Sequence, residues 1–141
     1  RRQRQMCIRD SYSSVLPDSE CWLVWDKENG DNNFADCELA WTNLDKAVRI
    51  KRHMWNGMIR KGQEERYSHP TQKPVDVMAW AVSFTEGSVF EPFAGSGTTI
   101  MACEKLKRKC LAVELSPKYC DVIIKRWEDF TGKKAELLNA I

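Results

Sequence analysis

The chain has 141 residues, enough for one modest domain with a single core. Its 22 basic and 20 acidic side chains give a formal charge of +2, too small an excess to argue a nucleic-acid or membrane partner from global charge. No apolar run approaches the ~20 residues of a membrane span and no secretory leader is legible, so a cytoplasmic protein with no membrane role is expected. Cys7 aside, Cys21, Cys37, Cys103, Cys110 and Cys120 form no C-x-x-C pair and have no histidine at metal-ligand spacing. They are expected as reduced, mostly buried thiols, with no metal site.

Residues 1–11, RRQRQMCIRDS, show neither an apolar period nor turn chemistry. The segment resembles the in-frame translation of a sequencing-library adapter. On that resemblance it is expected to stand outside the fold, leaving residues 12–141 as the domain; the alternative is a short basic arm for nucleic acid. Without Arg1, Arg2, Arg4, Arg9 and Asp10 the balance becomes 18 basic against 19 acidic, a formal charge of −1. Any case for a nucleic-acid partner must then be local.

Tyr12–Glu20 reads as loop, with Pro17 and Asp18 as turn residues. Cys21–Asp26 (CWLVWD) and Cys37–Thr42 (CELAWT) are short, aromatic-rich apolar runs separated by turn chemistry at Lys27–Asn33. That pattern predicts two neighbouring strands. Ala47–Met54 (AVRIKRHM) alternates apolar and basic residues and predicts a half-exposed third strand, and Asn56–Ser68 an exposed loop. From Pro74 the pattern changes. A helix runs to about Phe84 with proline in its first turn, then a strand over Ser88–Phe90 ends at Glu91-Pro92. A helix follows from Gly97 to about Leu106, then a buried strand over Cys110–Glu114, then a helix capped by Ser116 and stopped near Gly132. Helix, strand, helix, strand, helix predicts an α/β domain with a parallel sheet.

The turn Phe90-Glu91-Pro92-Phe93-Ala94-Gly95-Ser96-Gly97-Thr98-Thr99 joins a strand to a helix, and its small residues let backbone N–H groups approach a ligand. A triphosphate loop needs Gly-Lys-Ser/Thr, and no lysine follows Gly97. A dinucleotide fingerprint needs a third glycine where this chain has Ile100. S-adenosylmethionine remains as the candidate ligand, since its methionine end carries no pyrophosphate. Glu91 at the strand end suits a cationic group, and Glu114 ends the next strand where an acidic side chain meets ribose hydroxyls. Upstream, Thr71, Gln72 and Lys73 flank the helix start at Pro74, an end that attracts carboxylates; an ordinary capped start with a solvated Lys73 is the plainer alternative.

The sequence H-P-T-Q-K-P, an apolar helix, E-P-F-A-G-S-G-T-T and A-V-E-L-S-P-K-Y together resemble the circularly permuted (beta-type) DNA amino-methyltransferases, above all small phage and prophage adenine-specific enzymes. The likeness runs from about Tyr12 to Thr131. It implies a Rossmann-like S-adenosylmethionine-dependent methyltransferase fold and methyl transfer to the exocyclic amine of a flipped DNA base, adenine N6 before cytosine N4. By the same likeness Glu91, Phe93, Gly95, Ser96, Gly97 and Thr98 hold the methionine portion, and Thr71, Gln72 and Lys73 close that pocket. Glu114 holds the ribose, with Leu115 and Pro117 against the adenine. Glu91 stands where the family often has Asp. Double-stranded DNA is the implied partner; a homodimer and a cognate restriction nuclease are compatible with the family.

One departure is serious: the family's D-P-P-Y-type segment is absent from these residues. An exocyclic amine is a poor nucleophile because its lone pair is delocalised into the ring. That segment supplies acceptors for the pyramidal amine and an aromatic ring for the flipped base. The fold is therefore expected to be incomplete, lacking its central catalytic strand region. No catalytic residue is assigned, and the chain is expected to be inactive and marginally folded alone. Two other readings stand beside it, a non-catalytic S-adenosylmethionine-binding module and a nucleotide-binding oxidoreductase.

Residues 46–68 lie where the family places target recognition. Arg49, Lys51, Arg52, Arg60 and Lys61, with Trp55 among them, are candidate DNA contacts, against the plainer reading of a solvated strand edge. Trp80 and Trp127 fall on apolar helix faces and are expected in the core. Tyr119 suits either the cofactor or the last helix, and neither His53 nor His69 has a nucleophile at recognisable spacing.

Overall fold

Alternation of large apolar side chains builds the first sheet. The computed structural model describes residues 5–7, 14–30, 35–56, 59–60 and 72–138, which fall into two units, 1–63 and 64–141. In the first, β1 (Gln5–Cys7) precedes β2 (Trp22–Asp26), whose Leu23 and Trp25 are buried while Trp22, Val24 and Asp26 are half-covered, the period of two expected of a strand. β3 (Cys37–Thr42) pairs antiparallel with β2, setting Leu23 opposite Ala40 and Val24 opposite Leu39. The hairpin is closed by Lys27, whose N–H donates to Asp36 O at 2.8 Å and whose Nζ meets Glu38 at 2.9 Å. β4 (Arg49–Arg52) joins the other edge of β2 in parallel. Two buried polar tips are matched: the Trp25 indole donates to His53 O at 2.9 Å and the Thr42 hydroxyl to Cys21 O at 2.6 Å.

β1 pairs antiparallel with β3, giving the order β1-β3-β2-β4. A strand edge offers N–H and C=O groups to any extended segment and asks little of its side chains. Where a loop is predicted from Asn56, β5 (Trp55–Asn56) and β6 (Ile59–Arg60) form a short antiparallel pair; residues 61–71 lie outside the described set.

The second unit follows the predicted alternation: α1 (Val75–Val82), β7 (Val89–Glu91), α2 (Thr98–Lys105), β8 (Cys110–Ala112) and α3 (Pro117–Thr131). β7 and β8 run parallel with α2 as the crossover. Pro74 takes the N-cap of α1, one residue earlier than its usual first-turn place. The helices meet through an apolar cluster: Val75 and Ala79 of α1 against Met101 and Ala102 of α2, with Trp127 and Ile100 at the margin. Trp80 is half-buried, edge-on to Phe84 with ring centroids 5.4 Å apart. Arg108 closes the C-terminal end of α1, donating from Nη1 to Val82 O at 2.8 Å and Thr85 O at 2.7 Å and from Nε to Gly87 O at 2.8 Å. Val82 O also accepts the Thr85 N–H at 3.1 Å, and the guanidinium ties that last turn to the loop carbonyls of Thr85 and Gly87.

β8 is not the buried strand its sequence predicts. Leu111 is 52% exposed, and Phe90, its register partner on β7, is 67% exposed. Within the second unit α2 covers one face of the pair, and no other described element of that unit covers the opposite face. Parallel strands are ordinarily buried on both faces, and the apolar run CLAV is written for that.

Candidate cofactor site

Because β7 and β8 are parallel, the residues that end them leave the same edge of the sheet. Val113 N–H donates to Glu91 O at 2.9 Å, and Ala94 N–H donates to Val113 O at 3.0 Å, so the two strand ends are stitched where the turn begins. Glu91 then folds onto its own turn: Oε1 accepts the Phe93 N–H at 3.0 Å and Oε2 the Thr99 hydroxyl at 2.9 Å. Glu114 does the same from the other strand, Oε2 accepting the Gly95 N–H at 2.7 Å and Oε1 the Ser116 N–H at 2.9 Å. The two carboxylates therefore brace one turn from both sides. Carboxylates are acceptors that suit a cationic or hydroxyl-bearing ligand.

The turn needs its glycines. Gly97 has φ +78° and caps α2, and a Cβ built on it would lie 3.0 Å from Ile123 Cγ1 of α3. Ala94, Ser96, Gly97 and Thr98 are buried, whereas Phe93, Leu115 and Pro117 stand exposed. The structure thus gathers Glu91, Phe93, Gly95, Ser96, Gly97, Thr98, Glu114, Leu115 and Pro117 at one strand edge. Gln72, buried, and Lys73, half-buried, precede α1 in the same unit, and Thr71 lies outside the described residues. Ser116 holds the N-cap position of α3 without a side-chain cap bond; its N–H is taken by Glu114.

Three supporting residues were not anticipated. Thr99 links α2 to Glu91, Ile123 walls Gly97, and Arg126, 5% exposed, donates from Nη1 to Ser96 O at 3.0 Å, Ser96 Oγ at 3.4 Å and Thr98 Oγ1 at 3.1 Å. A signal for Arg126 exists in the sequence: it occupies the stripe of Tyr119 and Ile123, where a helix buries its apolar face, and a charge there asks for partners. Elsewhere in the unit Cys103 of α2 and Cys110 of β8 share a hydrogen bond. It holds the Cys103 thiol below the ordinary range against the opposing effect of burial, with Arg108 adding to the lowering, and together with burial it pushes Cys110 above that range.

In the first unit, Arg49 and Arg52 of β4 are exposed and Lys51 is half-buried, while Arg52 Nε lies 3.3 Å from Asp26 Oδ2. Trp55, the remaining candidate contact, is 8% exposed, its ring 6.4 Å from that of His53. Arg60 ends β6, and Lys61 lies outside the described residues.

A strand-helix-strand unit with a glycine turn held between two strand-end carboxylates defines an α/β protein built to take a nucleoside-bearing ligand at its strand edge. The family model described as DNA methylase (N6_N4_Mtase) matches residues 10–126, and the chain belongs to that family. The type II methyltransferase M2.DpnII of Streptococcus pneumoniae is 33% identical over 79 residues, 53% of this chain and 30% of that protein. The orphan methyltransferase M.BamHII of Bacillus amyloliquefaciens is 30% identical over 98 residues, 62% of this chain and 36% of its own. The solved complex of M1.HpyAVI with SAM aligns over 88% of this chain and 74% of its own, with a TM-score of 0.61 and 26% identity. The fold is that of S-adenosylmethionine-dependent DNA methyltransferases, as the motif resemblance implied. The chain spans 24% to 36% of the length of the first curated relatives it matches.

Proposed function

We propose that this chain carries the S-adenosylmethionine-binding part of a site-specific DNA amino-methyltransferase, with adenine N6 in double-stranded DNA as the acceptor. The observation that supports it most is the pair of carboxylates, Glu91 and Glu114, at one strand edge with the glycine turn tied between them. The bound cofactor supplies an electrophilic methyl group on a sulfonium. Glu91 attracts the ligand's ammonium, the Thr98 hydroxyl and the N–H groups opening α2 face its carboxylate, and Glu114 accepts from the ribose hydroxyls. Leu115 and Pro117 offer apolar surface to the adenine, and Thr71, Gln72 and Lys73 close the methionine end. Motif likeness to adenine-specific enzymes favours N6 over N4. Arg49, Lys51, Arg52, Arg60 and Lys61 form the candidate phosphate-contacting surface, a role that predicts a shallower salt dependence of DNA binding when they are neutralised. With no D-P-P-Y-type segment among its residues, the chain alone is expected to transfer no methyl group. The same fact supports the second reading, a binding module without chemistry.

Calorimetry tests the central reading. S-adenosylhomocysteine is expected to bind and NAD not to bind. Glu91→Gln, which keeps the acceptor but removes the charge, is expected to weaken binding about tenfold. Absence of heat with S-adenosylhomocysteine overturns the assignment.

A further inference from the structure

Resting on the reading of the glycine turn as a cofactor site, we infer that Arg126 is a positioning residue that makes the turn selective for the carboxylate-bearing end of its ligand. Arg126 lies on α3, some thirty residues away in sequence, and a buried guanidinium persists only where acceptors meet its donors. Its Nη1 meets the two residues that flank Gly97: Ser96 through its carbonyl and hydroxyl, and Thr98 through its hydroxyl.

That choice of partners has a consequence for polarity. A hydroxyl carries one hydrogen and two lone pairs. Where Arg126 takes a lone pair on Thr98 Oγ1 and on Ser96 Oγ, both hydroxyls are biased to act as donors toward anything else. Donors on either side of Gly97, at the opening of α2, suit a carboxylate and reject a cationic or donor-bearing group. The positive charge behind them acts in the same sense. Ile123, one turn earlier on α3, closes on Gly97 from the same side, so a single helix sets both the shape and the donor polarity of the turn. Arg126 touches no reacting atom; it acts through Ser96 and Thr98.

The test compares two ligands that share a nucleoside. S-adenosylhomocysteine carries the amino-acid end and 5′-methylthioadenosine lacks it. Arg126→Met is expected to weaken S-adenosylhomocysteine about tenfold while changing methylthioadenosine less than about twofold, and Arg126→Lys, which keeps the charge, to recover part of the loss. Equal weakening of both ligands assigns Arg126 a general structural role and overturns the inference, as does an unchanged affinity for S-adenosylhomocysteine. If Arg126→Met does not fold, Arg126→Lys decides alone: a loss confined to S-adenosylhomocysteine supports the inference, and a parallel loss or none refutes it. A wild-type chain that binds neither ligand removes the cofactor reading itself, an outcome separate from any difference among variants.

Discussion

At Gly97 two constraints fall on one Cα: the left-handed φ of +78° and the Ile123 side chain where a Cβ would stand. The conformational part alone costs an L residue about 1–2 kcal/mol, and the close contact adds to it because α3 is held by its own packing. Gly97→Ala is therefore expected to destabilise the chain by more than Gly132→Ala, whose φ of +71° is similar but whose Cβ direction is open. Ile123→Ala in the Gly97→Ala background should return the contact part and leave the conformational part, a non-additivity that denaturant unfolding of the four chains measures. Equal costs at Gly97 and Gly132 would show that α3 yields freely. At this scale the sequence was informative where chemistry needs special residues: the glycines, Glu91 and Glu114 were legible from type and spacing. The partners of Arg126, Thr99 and Ile123 were not, because those roles come from contacts across the fold, 30 residues apart for Arg126 and Ser96; a charge on an apolar stripe marks Arg126 but not what it meets. The burial of Trp55 was not legible for a related reason, since a tryptophan among basic residues reads alike whether its ring is exposed or packed.

The elements show where local pattern suffices and where it stops. All three helices of the second unit lie within a residue or two of their predicted bounds, since proline, glycine and a 3.6 period act locally. The end of α3 carries a pH-dependent feature that no pattern announces. Gly132, in the left-handed region, donates its N–H to Glu128 O at 2.8 Å, and the chain then turns back so that Lys134 Nζ and the Ala135 N–H reach the Glu128 carboxylate at 2.8 and 3.0 Å. Lys134 first and the Ala135 amide second hold the Glu128 carboxyl below its ordinary value of 4.5. A lowered folded-state value means that the contact stabilises fully above the ordinary value and is lost as pH falls through the lowered one. The Glu128 carboxyl carbon, followed by NMR, should thus titrate with a midpoint below 4.5, and Lys134→Ala should raise that midpoint. An unmoved midpoint in the variant would remove Lys134 as the principal cause.

For the whole chain, the unanswered physical demand is the uncovered face of the β7–β8 pair. Phe90 and Leu111 stand side by side in register, and Val113 continues the row on the same side, all more than half exposed. Burying a phenylalanine or leucine side chain is worth about 1.5–3 kcal/mol, so a sheet that leaves both in water forgoes much of what a domain of this size has to spare. This is where sequence and structure diverge most: the alternation of helix and strand gave the α/β class, yet the apolar run of β8 encodes burial on both faces, and the described elements of its own unit provide one. The consequence is measurable. An apolar dye such as anilinonaphthalene sulfonate should bind this chain in its folded state. Phe90→Lys combined with Leu111→Lys should abolish most of that binding while shifting folding stability by no more than about 1 kcal/mol, the behaviour of surface positions. If the same pair of substitutions instead costs several kcal/mol, the face is packed in solution and its exposure here is overturned. If the dye does not bind the wild-type chain, the row is not accessible as a continuous apolar patch.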